Sequence, residues 1–88
     1  MTYPPAIKNI TAGKLVRALK RDGFFLARRA GARFIFLHPD GRMVPVHYHR
    51  SSQTFPPGTL RAMLTQARWS TADLIRLKLI PKHIFHTR

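Results

Sequence analysis

Three histidines and two arginines are the residues of this chain best suited to chemistry. His47 and His49 stand two apart in the alternating run Val44-Pro45-Val46-His47-Tyr48-His49. On a strand their side chains would therefore point the same way. His38 ends the apolar run before it, and a hairpin would bring it onto the neighbouring strand. Imidazole titrates near neutral pH, so it can take up and return a proton there. Surrounding cations would favour the neutral form that a general base needs. Arg33 or Arg42 could brace a pentacovalent phosphorane, a charge that a forked guanidinium suits. The same histidines could also be exposed strand-face residues that stack or hydrogen-bond locally, and that plainer reading stays open. A His-x-His pair with a third His can bind Zn²⁺. There is no Cys, however, the three acids sit near turns or helices, and the local charge repels a dication. No metal and no cofactor is expected.

The elements that must position these residues can be read in order. Pro4 and Pro5 make residues 1–10 an arm rather than a paired strand. Thr11 is placed to cap a helix that Gly23 ends. Leu15, Val16 and Leu19 form its apolar stripe, and Lys14, Arg17 and Arg21 a cationic face; Gly13 is the one residue that weakens it. Phe24–Ala30 and Arg33–His38 read as a hairpin around Gly31. Pro39-Asp40-Gly41 is a turn leading to a third strand, Met43–His49, in which Pro45 demands a sheet edge. After the polar loop 50–58, Leu60, Met63, Leu64 and Ala67 mark a helix over Thr59–Arg68. Ser70 and Asp73 read as a capping box for a short last helix that Pro81 stops. Residues 81–88 read as a solvated tail carrying His83 and His86. The expected fold is α+β, with residues 11–80 as one domain and its helices on one face of a three-stranded antiparallel sheet.

Charge indicates the kind of partner. Sixteen Lys and Arg face three acids, all Asp, for a net charge of +13 on 88 residues. No fold needs such an excess, so it points to a polyanion, either nucleic acid or an acidic protein. Lys14, Arg17, Lys20 and Arg21 coat the first helix, Arg28, Arg29, Arg33 and Arg42 surround the sheet's loops, and Arg61 opens the second helix. The helix N-termini at Thr11 and Thr59 could add backbone contacts to phosphate. Phe24, Phe25, Phe34 and Phe36 could stack on bases, but strand aromatics in so small a domain are expected in the core, as is Trp69. A 44% hydrophobic share excludes a disordered basic tail. The absence of Cys excludes a disulfide framework, and no stretch approaches a membrane span. A cytoplasmic chain without membrane contact is expected.

Two anchors are more specific than composition. The first is His38-Pro39-Asp40-Gly41-Arg42 with the alternating run after it. The second is Pro57-Gly58-Thr59-Leu60-Arg61, continued by Ala62-Met63-Leu64 and Gln66-Ala67. With Lys14-Leu15, Leu19 and Asp22-Gly23-Phe24, they resemble the HicA family of bacterial toxins from about Thr11 to Ile80. The resemblance implies a fold similar to double-stranded-RNA-binding domains, α-β-β-β-α, here with a short extra C-terminal helix. It also implies a metal-independent mRNA-cleaving toxin, neutralised by a HicB-like acidic antitoxin with which it could form a hetero-oligomer. In such enzymes a His deprotonates the ribose 2′-hydroxyl, which attacks the adjacent phosphate. The family's His, in a Gly-Ser-His or Gly-Ser-His-His run, falls here on Gly31-Ala32-Arg33-Phe34. Arg stays protonated and Phe has no titratable group, so neither can replace the base. The family's closing strand His is kept as His49, while His47 stands in place of a Pro.

Three functions compete on this reading. One is a HicA-like ribonuclease, active or catalytically weakened, with Arg33, His49, His47 and His38 as candidate catalytic residues. Its RNA contacts would be Lys14, Arg17, Arg21, Arg28, Arg29, Arg33, Arg42 and Arg61. The second is a non-enzymatic RNA-binding module of the same fold. The third is a basic adaptor for an acidic protein alone.

Overall fold

The structure, a computed structural model, describes residues 9–81. The expected arm and tail lie almost wholly outside the described residues, as do His83 and His86. Helix α1 (Ala12–Arg21) is followed by three strands, β1 (Phe25–Ala30), β2 (Arg33–Leu37) and β3 (Met43–His47), and then by α2 (Pro57–Gln66) and α3 (Thr71–Arg76). The strands form one antiparallel sheet in the order β1-β2-β3. This is the α+β layout expected from the sequence, and β3, with Pro45, lies at a sheet edge.

Helix α1 starts where Thr11 Oγ1 accepts the Lys14 N–H. Gly13 has a packing reason, since its N–H donates to the Ser51 carbonyl and a Cβ there would lie 3.1 Å from Ser51 Cβ. Helix α2 starts two residues earlier than the apolar stripe suggests, because Pro57 is pre-set for the first helical turn. Helix α3 begins with the expected reciprocal bonds between Ser70 and Asp73.

All three helices end alike. The residue after the C-cap is left-handed (Gly23, Arg68, Lys78), and the next residue's N–H reaches back to Leu19, Leu64 or Leu74. Phe24, Trp69 and Leu79 follow these left-handed residues and are buried, completing the apolar side of this stop. Lys78, rather than Pro81, therefore terminates α3, which ends at Arg76 instead of running on to the proline.

The sheet has two unlike faces. Phe36, Val44 and Val46 point inward and share one core with Leu15, Leu19, Leu60, Leu64, Trp69 and Leu74. Truncating a fully buried leucine such as Leu64 to Ala would cost about 2–5 kcal/mol. The register places Phe25, Leu37 and Met43 in one row, and Ala30, Arg33 and His47 in another, on the face that carries no helix. Phe25 therefore departs from the expected core role, because strand alternation turns it away from the helices, while Phe24, one residue earlier, is buried. Strand β1 bulges between Leu26 and Arg28, and all its residues are exposed.

Candidate nucleic-acid interface

Arg33 opens β2 and pairs directly with His47 at the end of β3. Directly paired residues share a sheet face and stand about 5 Å apart. The strand ends at His47 rather than His49, although the Tyr48 N–H still donates to the Ala32 carbonyl. His49 then sits edge-to-face on His47, with ring centroids 5.3 Å apart. Both imidazoles are exposed. Two of the three predicted histidines and one of the two predicted arginines thus meet at one corner, where the β1–β2 turn and the end of β3 adjoin.

Gln53 holds that corner, and sequence reasoning missed it. Its Oε1 accepts the His49 N–H at 3.0 Å, and its Nε2 donates to the His47 carbonyl at 3.4 Å. The loop around it reads only as polar, so no local pattern marks the residue. The same loop occupies the start of α1, where the Gln53 and Ser51 carbonyls accept the Ala12 and Gly13 N–H groups. With Lys14 capped by Thr11, the first N–H groups of α1 are already engaged. The N-cap of α2, Pro56, makes no side-chain capping bond.

His38 is elsewhere. Its backbone faces Arg42 at the far end of the hairpin, five residues along β2 from Arg33 and so about 16 Å away. Its Nε2 donates to the Asp22 carbonyl at 2.8 Å, and its Nδ1 accepts the Asp40 backbone N–H at 3.1 Å. A carbonyl can only accept, so Nε2 carries a proton. Asp40 Oδ1 lies 3.0 Å from the same Nδ1. The Phe24 ring packs edge-on against it.

Arg42 belongs to the same end. Its Nε donates to Asp40, and its Nη1 to Asp22 and to the Ala67 carbonyl. The guanidinium also lies over Phe24 at 4.9 Å. Asp22 is the hub of this network, accepting from Trp69 Nε1 at 2.8 Å, Arg76 Nη2 at 2.9 Å and Arg42 Nη1 at 3.1 Å. Burial works to raise its pKa, but the indole N–H and the two guanidinium groups outweigh it, holding the carboxyl below its ordinary value. Asp40 and Asp73 are lowered in the same way, their slight desolvation outweighed by Arg42 and by Ser70 with Arg76 respectively. All three acids of the chain are thus joined through Arg42 and Arg76, tying the hairpin turn to all three helices.

Several other described cations lie on two sides. Lys14, Arg17, Lys20 and Arg61 are exposed on the helices, and Arg28 and Arg33 on the sheet. Arg17 lies beside Gly13 near Ser51, so the loop that carries Gln53 links the helical cations to the histidine corner. Arg21 donates to the Leu77 carbonyl and closes the end of α3. Arg29 donates to the Gly31 carbonyl and stacks over Phe34 at 4.6 Å, while Phe34 stacks on Tyr48. Among the described residues no three His, Asp, Glu or Cys side chains come together as metal ligands would. Nor is any described helix long and apolar enough to cross a membrane.

Comparison with curated protein sequences finds no match. The family model of the HicA toxin of bacterial toxin-antitoxin systems matches residues 12–69, from the first residue of α1 to Trp69. That stretch contains the whole sheet, α1, α2 and the histidine corner, and with this match over most of its length the chain belongs to the HicA toxin family.

Proposed function

We propose that the chain is the RNA-binding and RNA-cleaving toxin of a toxin–antitoxin pair, working at the corner built from Arg33, His47 and His49. The observation that carries this reading is the pairing of Arg33 with His47 and the edge-to-face contact of His49 with that ring. One imidazole takes the proton of a ribose 2′-hydroxyl, whose oxygen then attacks the adjacent phosphorus. The bond from phosphorus to the 5′-oxygen breaks, and the second imidazole returns a proton to that leaving oxygen. A 2′,3′-cyclic phosphate and a free 5′-hydroxyl result. Arg33 would hold the non-bridging oxygens as charge builds on them. Gln53 is a positioning residue that fixes the backbone of both histidines. Lys14, Arg17, Arg28 and Arg61 would contact phosphates along the strand. Arg21, Arg29, Arg42 and His38 are assigned to the frame, because each is already engaged within the fold.

A second reading, binding without cleavage, is favoured by one observation. The position where the family resemblance expects the catalytic His is Arg33, which cannot act as a neutral base. Labelled mRNA incubated with the protein in EDTA, run on denaturing and native gels, separates the two. Cleavage lost in His47→Ala and His49→Ala supports the ribonuclease. A shift of intact RNA supports the binding module. Neither cleavage nor a shift would remove RNA as the target.

A further inference from the structure

Two separate clefts border the histidine corner. Arg33 lines the one on the sheet, together with Arg28 and Ile35. The other, of about 460 Å³, is lined by His49, Arg50, Ser52, Gln53 and Thr54. Small-ligand sites span roughly 300–1,000 Å³, so one nucleotide fits the second cleft. No acid lines it, and the chain's three aspartates are all held by Arg42, Arg76 or His38. Arg50, Ser52 and Thr54 are exposed, and within the described residues their side chains make no hydrogen bond or ion pair. Their backbone, by contrast, is fixed. The Gln53 N–H donates to the Arg50 carbonyl at 3.1 Å, and the Gln53 and Ser51 carbonyls hold the start of α1 at 2.8 and 2.9 Å. Thr54 forms a bridge with Thr11. The cleft is therefore preformed, with polar side chains left over to meet a ligand.

We infer that this cleft is a nucleotide subsite, taking one unpaired nucleotide beside the scissile bond with a phosphate on Arg50 and the base edge on the Ser52 and Thr54 hydroxyls. The inference rests on the proposed ribonuclease reading, which supplies the strand. Position comes from His49. Arg33 pairs with His47, His47 meets His49, and His49 walls the cleft, so Arg33 and Arg50 stand at the two ends of this series. The donor set chooses the occupant. A guanidinium fork suits phosphate oxygens, and a hydroxyl can donate or accept, as the mixed edge of a base requires. None of the five lining residues is aliphatic, so an apolar ligand gains little there. A base bound this way turns its edge to the loop instead of to a complementary strand, and it must therefore be unpaired.

The test uses the full chain and 2′-O-methyl tetranucleotides of A, C, G and U, which cannot be cut because the attacking oxygen is blocked. Amide chemical-shift mapping locates the footprint, and anisotropy measures affinity. The tetranucleotides should perturb Arg50, Ser52 and Thr54. Arg50→Ala should weaken binding about tenfold and lower its salt slope by about one, the mark of a lost phosphate contact. The spread of affinity among the four bases should narrow in the double variant Ser52→Ala/Thr54→Val, with Tm little changed because these positions are exposed. Lys20→Ala removes the same charge as Arg50→Ala and should stay within about twofold, because Lys20 lies on α1. Tetranucleotide binding with Arg50→Ala also within twofold, or with a footprint confined to α1 or the sheet, would overturn the inference alone. So would inorganic phosphate perturbing residues 50–54 as tightly as the tetranucleotides, which would leave a plain anion site. A duplex filling the cleft as well as a single strand would also overturn it. No binding of any tetranucleotide, together with uncut mRNA, would overturn both the subsite and the ribonuclease reading.

Discussion

Removing Asp22 should show how much of this fold depends on one carboxylate. In Asp22→Ala, three hydrogen bonds disappear together. The indole N–H of Trp69 loses its charged acceptor, at about 1–1.5 kcal/mol. Arg42, whose side chain is 14% exposed, keeps Asp40 and the Ala67 carbonyl and loses about as much again. Arg76 is half exposed, and its solvent-screened pair adds no more than about 0.5 kcal/mol. The expected loss is about 3 kcal/mol, or roughly 12–24 °C in Tm for a domain of this size. Asp22→Asn should lose about half, because the amide still accepts from the indole but carries no charge.

The pH dependence follows with a definite sign. Because the folded pKa of Asp22 lies below its ordinary 3.8, its contribution is fully present above that value. It is lost as pH falls through the lowered folded value. Thermal unfolding followed by circular dichroism, from about pH 6 down to about pH 2, should show the wild-type Tm falling steeply below the ordinary carboxylate pKa. Asp22→Asn should start lower and fall less, so that the two curves converge. Asp40 and Asp73 add to the acid limb in the same direction. An Asp22→Ala Tm within about 3 °C of wild type, well under the calculated shift, would refute this account of the network. So would a gap between wild type and Asp22→Asn that stays constant into acid.

Gly23→Ala should destabilise by about 2–3 kcal/mol, since φ is +104° and the new Cβ would lie 2.8 Å from His38 Nε2; the Tm reports it. Arg68→Gly and Lys78→Gly should each stabilise by about 0.5 kcal/mol, read as a higher urea midpoint at unchanged m-value, because relief of the left-handed backbone exceeds the entropy glycine costs. Arg42→Lys should cost about 2 kcal/mol in unfolding free energy, because a point charge cannot serve Asp22, Asp40 and the Ala67 carbonyl together. Arg61→Ala should leave Tm unchanged and lower the salt slope of RNA binding by about one, as expected for a single phosphate contact.

Periodicity and turn chemistry carry most of the fold in the sequence. The alternation through Val44 and Val46 and the stripe from Leu60 to Ala67 both derive from local geometry. So do the Thr11 and Ser70 caps and the edge position forced by Pro45. Chain stops were legible where glycine supplied the left-handed residue, as at Gly23, and hidden where Arg68 and Lys78 took that conformation. Nothing in an isolated arginine or lysine announces it; the buried Trp69 and Leu79 that follow supply the compensation.

The site divides along the same line. Residue types and the two-residue spacing of His47 and His49 could be read directly, because strand alternation is local. Whether His38 joined them depended on hairpin register, which sets it opposite Arg42, about 16 Å from Arg33. Charge count indicated a polyanionic or acidic partner but could not separate arginines that meet solvent from those consumed internally. Arg42 and Arg28 look equivalent in sequence, yet one is enclosed by Asp22, Asp40 and Ala67 while the other lies exposed on the bare sheet face. That difference is made by residues distant in the chain, since ion pairs and burial depend on the packing that brings α1, the hairpin turn and α2 together.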